Sequence, residues 1–161
     1  MSKRSLFSKF ISLKLKLAVV LVTFGLSCTK QNAQTPQTPL EELNAQRAKW
    51  EALEIDKYSF SQQMSCFCIY EVTEKFQVTI NNNSIISVDS APPDTQWHAH
   101  LMTVDDTFNR VLYLIKQDPV RLTIEYDSTY GFISYFFYDL SEMIADEEQG
   151  FTFTDFQVLS Q

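Results

Sequence analysis

KYSFSQQMSCFCIY, residues 57–70 of a 161-residue chain, alternates apolar and polar side chains. Tyr58, Phe60, Met64, Cys66, Cys68 and Tyr70 share one parity. Successive side chains of a strand point to opposite faces, so this spacing predicts a β-strand with one buried face. Downstream, Val72, Phe76, Val78 and Ile80 repeat the pattern and predict a second strand. Asn81-Asn82-Asn83 predicts a tight turn, because Asn tolerates positive φ better than most residues. Ser84 to Val88 returns as a third strand, and Asp89 to His100 (DSAPPDTQWHAH) is a loop broken by Pro92 and Pro93.

Helices flank this unit. Thr38-Pro39-Leu40-Glu41 announces the first: Thr38 can cap, Pro39 suits the first helical position and Glu41 closes a capping box. That helix is expected to run to about Leu53, with Leu40, Leu43, Arg47, Trp50 and Leu53 on one stripe and Trp50 as its anchor against a sheet. A second helix opens at Thr103-Val104-Asp105-Asp106, where the two acids suit the positive end of the dipole. Its buried face is Val104, Phe108, Val111, Leu112 and Ile115, and Asp118-Pro119 stops it.

Three more strands follow. Val120, Leu122, Ile124 and Tyr126 alternate; Asp127 to Gly131 turns the chain, with Gly131 free to take positive φ. Phe132 to Asp139 is apolar at most positions, as in a strand covered on both faces. The last strand changes phase between Phe153 and Phe156, which predicts a bulge near Thr154-Asp155. The expected fold is α+β: two helices packed on one face of an antiparallel sheet of about six strands, in the order helix-βββ-helix-βββ.

Upstream of the domain, residues 1–16 carry Lys3, Arg4, Lys9, Lys14 and Lys16 and no acid, and the chain is apolar from Leu17 to Leu26. That is the charged region and short apolar core of an export signal, well under the roughly 20 residues that span a bilayer. Gly25-Leu26-Ser27-Cys28 resembles the lipobox of bacterial lipoproteins, which implies cleavage before Cys28, lipidation of Cys28 and membrane attachment through that lipid. The expected organisation is a signal peptide over 1–27, a polar tether over 28–38 and one domain over 39–161. TKQNAQTPQTP has too little apolar surface to fold and suits a tether. With the five basic residues gone, eight of the 13 Lys and Arg remain against 20 acids, a formal charge of −12. So acidic a chain is a poor partner for nucleic acid.

What the thiols of Cys66-Phe67-Cys68 are for stays open among four uses: a disulfide, reduced packing thiols, a redox couple or metal ligands. An exported domain sits in oxidising surroundings, which favours closure of an even pair. Residues i and i+2 of a flat strand have Cα atoms about 6.5–7 Å apart, at the limit for a disulfide, so a bridge needs a local kink. His98 and His100, two apart in the loop, are candidate metal ligands with help from Asp89 or Asp94. DLSEMIADEEQG, residues 139–150, has acids enough for calcium but not the spacing of an EF-hand, and reads as a solvated acidic turn. Trp97, Tyr135, Phe137 and Tyr138 are the candidate interaction surface. GxSxG, Walker and HExxH motifs are missing from the sequence and only three glycines occur, so no catalytic residue and no cofactor is expected.

Trp50, Tyr58-Ser59-Phe60, Ser65-Cys66-Phe67-Cys68, Tyr126-Asp127 with Tyr130-Gly131, and Asp146-Glu147-Glu148 with Gly150-Phe151 occur in that order. The series resembles small bacterial lipoproteins of the domain of unknown function 6174, over about Trp50 to Phe156. The resemblance implies a cell-envelope location and a small α+β domain, and it implies no activity. The favoured function is therefore a lipid-anchored, non-enzymatic binding or assembly module with an envelope protein as partner. A thiol redox protein and a metal-binding protein are the alternatives.

Overall fold

The computed structural model describes residues 38–94, 96 and 98–160. The expected signal peptide, Cys28, all of the tether but Thr38, and Trp97 lie outside these residues. Nine elements follow one another: α1 (Pro39–Glu51), β1 (Lys57–Ser65), α2 (Tyr70–Thr73), β2 (Lys75–Asn81), β3 (Ser84–Val88), α3 (Val104–Lys116), β4 (Arg121–Tyr126), β5 (Ile133–Asp139) and β6 (Gln149–Val158). The strands form one antiparallel sheet in the order β3-β2-β1-β6-β5-β4. The architecture is α+β with three helices, one more than expected.

Local chemistry sets most element ends. Thr38 Oγ1 accepts from Glu41 N at 3.2 Å while Glu41 Oε2 accepts from Thr38 N at 2.9 Å, a reciprocal capping box. Thr103 and Asp106 make the same box at the start of α3. Asn82 and Asn83 both have positive φ, the geometry of a two-residue hairpin between β2 and β3. Asp118 turns left-handed after α3 and Pro119 follows it. Gly131 has φ +84°. The bulge in β6 is present: Ser59 pairs with Gln157 but Ser61 with Thr154, and Asp155 takes φ 57°.

Two expectations need correction. β1 ends at Ser65, not Tyr70, because the chain bends over residues 66–68 and then makes the single turn of α2. Val72 therefore belongs to α2 and not to a strand. Helix α1 stops at Glu51, and Leu40 and Leu53 of its expected stripe are exposed; Leu43 and Trp50 alone are buried.

The core is aromatic. Phe60, Phe108 and Phe136 are its largest fully buried side chains. Trp50 of α1 stands edge-on to Tyr58, Phe132 and Phe156 at 5.3, 6.2 and 5.8 Å between ring centres. Tyr58 Oη accepts from the backbone N–H of Val104 at 3.0 Å, serving one of the amides left unpaired at the start of α3. Arg47 ties the two long helices, its guanidinium over the Phe108 ring and its Nη2 donating to Asn109 Oδ1 at 2.8 Å.

Gln62 is the largest polar side chain in this core. Its position lies between Phe60 and Met64 on the buried parity of β1, and it is fully buried. Both ends of its amide are used: Nε2 donates to the His100 carbonyl at 3.2 Å and Oε1 accepts from Met102 N at 3.0 Å. A mid-strand residue thus clamps the loop that leads into α3.

Candidate functional site

Cys66 and Cys68 are joined by a disulfide with Cα atoms 5.2 Å apart, closer than a flat strand allows. The bend that brings them together puts Phe67 at its apex, 82% exposed. Ile69 and Tyr70 follow, 56% and 73% exposed. These side chains lie just past the end of β1.

The register of the sheet sets a second loop beside this one. Ser65 pairs with Gly150 of β6, so the β1–β2 connection (66–74) and the β5–β6 connection (140–148) leave the same end of two neighbouring central strands. The second loop also carries exposed apolar residues: Leu140, Ile144 and Met143, the last at 95%. Lone exposed apolar residues are ordinary, but six at one end of a sheet make a patch. Its charge has a single sign. Glu71, Glu74, Glu142, Asp146, Glu147 and Glu148 belong to the two connections, which contain no Lys, Arg or His.

Of the residues expected in an interaction surface, the structure splits the aromatic set. Tyr138 is 3% exposed, so it is not a surface residue. Adjacent strand residues point to opposite faces, and the aromatics on both parities of β5 hid which one was inward. Tyr135 and Phe137 lie on the other side, half-buried, with the Arg121 guanidinium 5.1 Å from the centre of the Phe137 ring. Phe137 pairs with Gly150, next to the apolar end. On the same side of the sheet Lys75 reaches across β1 to Asp155 at 2.8 Å. That bonded ammonium holds the Asp155 carboxyl below the ordinary carboxylate range.

The two histidines pack against the same phenyl ring. Both rings stand edge-on to Phe76, His98 at 5.1 Å and His100 at 5.8 Å, and His98 Nδ1 accepts from Asp94 N at 2.9 Å. Among the described residues no group of three His, Cys, Asp or Glu is placed to hold a metal ion.

A cleft adjoins these loops between α3 and the ends of β1 and β6. Met64, Met102 and Phe151 form its apolar lining, and Arg110, Gln149 and His100 its polar side. Arg110 Nη2 donates to Tyr138 Oη at 2.9 Å, and Tyr138 Oη donates to Gln149 Oε1 at 2.6 Å. The Arg110 guanidinium also lies 5.4 Å from the Tyr138 ring centre and 5.9 Å from that of Tyr113.

Sequence reasoning missed Phe67, Ile69, Met143 and Ile144. Phe67 lies on the parity opposite the core residues, and Met143-Ile144 interrupts an acidic run. Both were signals of apolar side chains with no local reason to be apolar. Arg110 had no such signal, since an Arg within a helix is ordinary.

Searches of curated proteins and of solved structures return no match to this chain. A family pattern does match it, over residues 42–158, which take in every strand and the two loops of the apolar end. On that match the chain belongs to the family of unknown function DUF6174.

Proposed function

We propose that this protein is a lipid-anchored component of the bacterial cell envelope and a non-enzymatic binding module that docks its partner on the apolar end around Phe67 and Met143. The carrying observation is that end itself: exposed apolar side chains from two loops that also carry six carboxylates and no cation. Its partner is a protein whose apolar groove has a basic rim. An anionic lipid surface is a poor alternative, since each basic residue near such a surface gains about 1 kcal/mol, whereas carboxylates meet their own sign of charge and are repelled.

The rest of the domain is consistent with a rigid carrier for that end. Helices α1 and α3 lie on the side of the sheet that holds Tyr58, Phe60 and Phe136, in keeping with the contacts of Trp50, Val104 and Arg110. The anchor rests on the sequence: a basic region, a short apolar core and Cys28 before a polar stretch.

Two experiments test the reading separately. Labelled palmitate is incorporated by the wild-type chain and not by Cys28→Ala; an unlabelled wild type removes the anchor. A photo-crosslinking residue at Phe67 or Met143 yields an adduct to a protein peptide with Lys or Arg beside apolar residues, and the same residue at exposed Thr154 does not. Adducts to lipid, or none, remove the docking role. A thiol redox role is the second reading, favoured by the disulfide lying in an exposed bend. A reduction potential far below that of the glutathione pool assigns the bridge to structure.

A further inference from the structure

We propose that the cleft beside Arg110 binds a small amphiphile with an anionic, acceptor-only head and a short apolar tail. Donor and acceptor chemistry leads there. Arg is donor-only, so the Tyr138 hydroxyl oxygen accepts its N–H and the hydroxyl proton goes onward to Gln149 Oε1. That chain occupies one lone pair of the Gln149 amide oxygen and leaves its N–H groups. Beside the His100 ring, the cleft therefore presents donors from Arg110 and Gln149: the remaining guanidinium N–H groups and the Gln149 amide. A ligand that satisfies them accepts hydrogen bonds and carries negative charge, as a carboxylate or phosphate does.

The head group has no competitor within the domain, since Arg110 makes no ion pair among the described residues although acids outnumber bases in the chain. The tail is set by the remaining walls. Two thioethers and a phenyl ring, from Met64, Met102 and Phe151, suit flexible hydrocarbon better than a polar ring. The volume, about 260 Å³, lies below the usual range for drug-sized ligands and limits the tail to a few carbons. The donors are also held before binding. Tyr138 fixes Arg110 by hydrogen bond and ring contact, and Gln62 fixes the backbone of Met102. Less ordering is then lost when a ligand arrives. This site adjoins the Phe67–Met143 end but shares none of its exposed apolar residues, and it does not depend on the envelope reading.

Methionine methyl NMR reads the cleft directly, because Met64 and Met102 line it and exposed Met143 does not. Sodium hexanoate added to the purified protein shifts the Met64 and Met102 methyl signals saturably, with a dissociation constant on the order of millimolar, and leaves Met143 in place. Hexyl phosphate in a parallel titration identifies the preferred head. Hexanol and hexylamine produce no saturable shift. Arg110→Gln weakens binding about tenfold or more. Gln149→Glu keeps an acceptor for Tyr138 but opposes the anion, and it removes binding even where Arg110→Gln does not fold. Neither hexanoate nor hexyl phosphate moving the two methyls, or hexanol moving them equally, overturns the proposal.

Discussion

Gly131 shows how tightly one residue can be specified. The turn before β5 closes through Gly131 N donating to the Asp127 carbonyl at 2.9 Å, and Asp127 Oδ1 accepts from the backbone of Thr129 and Tyr130. At φ +84° a side chain is strained, and a Cβ there meets the Gln46 carbonyl oxygen of α1 at 3.0 Å. Gly131→Ala is expected to cost about 1–2 kcal/mol from the left-handed backbone alone, measured by urea unfolding. Gln62 is specified by pairing. Gln62→Leu suits the buried site but strands the His100 carbonyl and Met102 N–H, at roughly 1–3 kcal/mol. Hydrogen exchange at Met102 should accelerate; unchanged exchange there removes the clamp. Tyr126 gives a pH dependence. Burial, and behind it the Glu42 carboxylate, pushes its hydroxyl up to about 12. The folded chain then holds the proton more firmly than the unfolded chain, whose Tyr titrates near 10, so stability is intact below about pH 10 and falls as pH rises toward 12. Tyr126→Phe should flatten that fall and cost little at neutral pH, because the hydroxyl has no hydrogen-bond partner among the described residues.

Among the elements, β1 and β6 carry the chemistry of interest at their ends. β1 stops where Cys66 and Cys68 close a three-residue ring. Such a ring restrains the unfolded chain little, so replacing both cysteines by Ser should cost no more than about 1.6 kcal/mol. Its larger effect falls on the shape of the bend and thus on crosslinking from residue 67. A cost of several kcal/mol with crosslinking intact would reverse that assignment. In β6 the bulge at Asp155 changes which residues face the core: Phe151 and Phe153 are inward before it, and Phe156 reaches the Trp50 cluster after it. One extra residue thus lets a single strand serve two parts of the core. Helices α1 and α3 were legible to within two residues because their caps are local. The end of β1 was not, since alternation continued through Tyr70 while the bridge between Cys66 and Cys68 bent the backbone.

At the scale of the molecule, stability and the proposed docking are carried by different residues. Phe60, Phe108 and Phe136 are buried in the core, whereas Phe67 and Met143 project from one end of the sheet. Phe67→Glu with Met143→Glu should therefore change unfolding free energy by no more than about 0.5 kcal/mol. The same pair should abolish crosslinking from position 144. Loss of folding in this variant would place the two side chains in the core and end the docking role.

Caps, turns and hydrophobic period were readable along the chain, because each depends on contacts among residues a few positions apart. The capping boxes at Thr38 and Thr103, the Asn82-Asn83 turn, Gly131 and the β6 bulge all follow from such contacts. Which strands pair was decided only by the folded chain. The central β1–β6 pair joins the first and last strands, and it alone brings residues 66–74 beside 140–148. Arg110, Tyr138 and Gln149 likewise meet from three elements. Such meetings depend on long-range register, where a slip of one residue turns every side chain to the opposite face, and no local pattern encodes that choice.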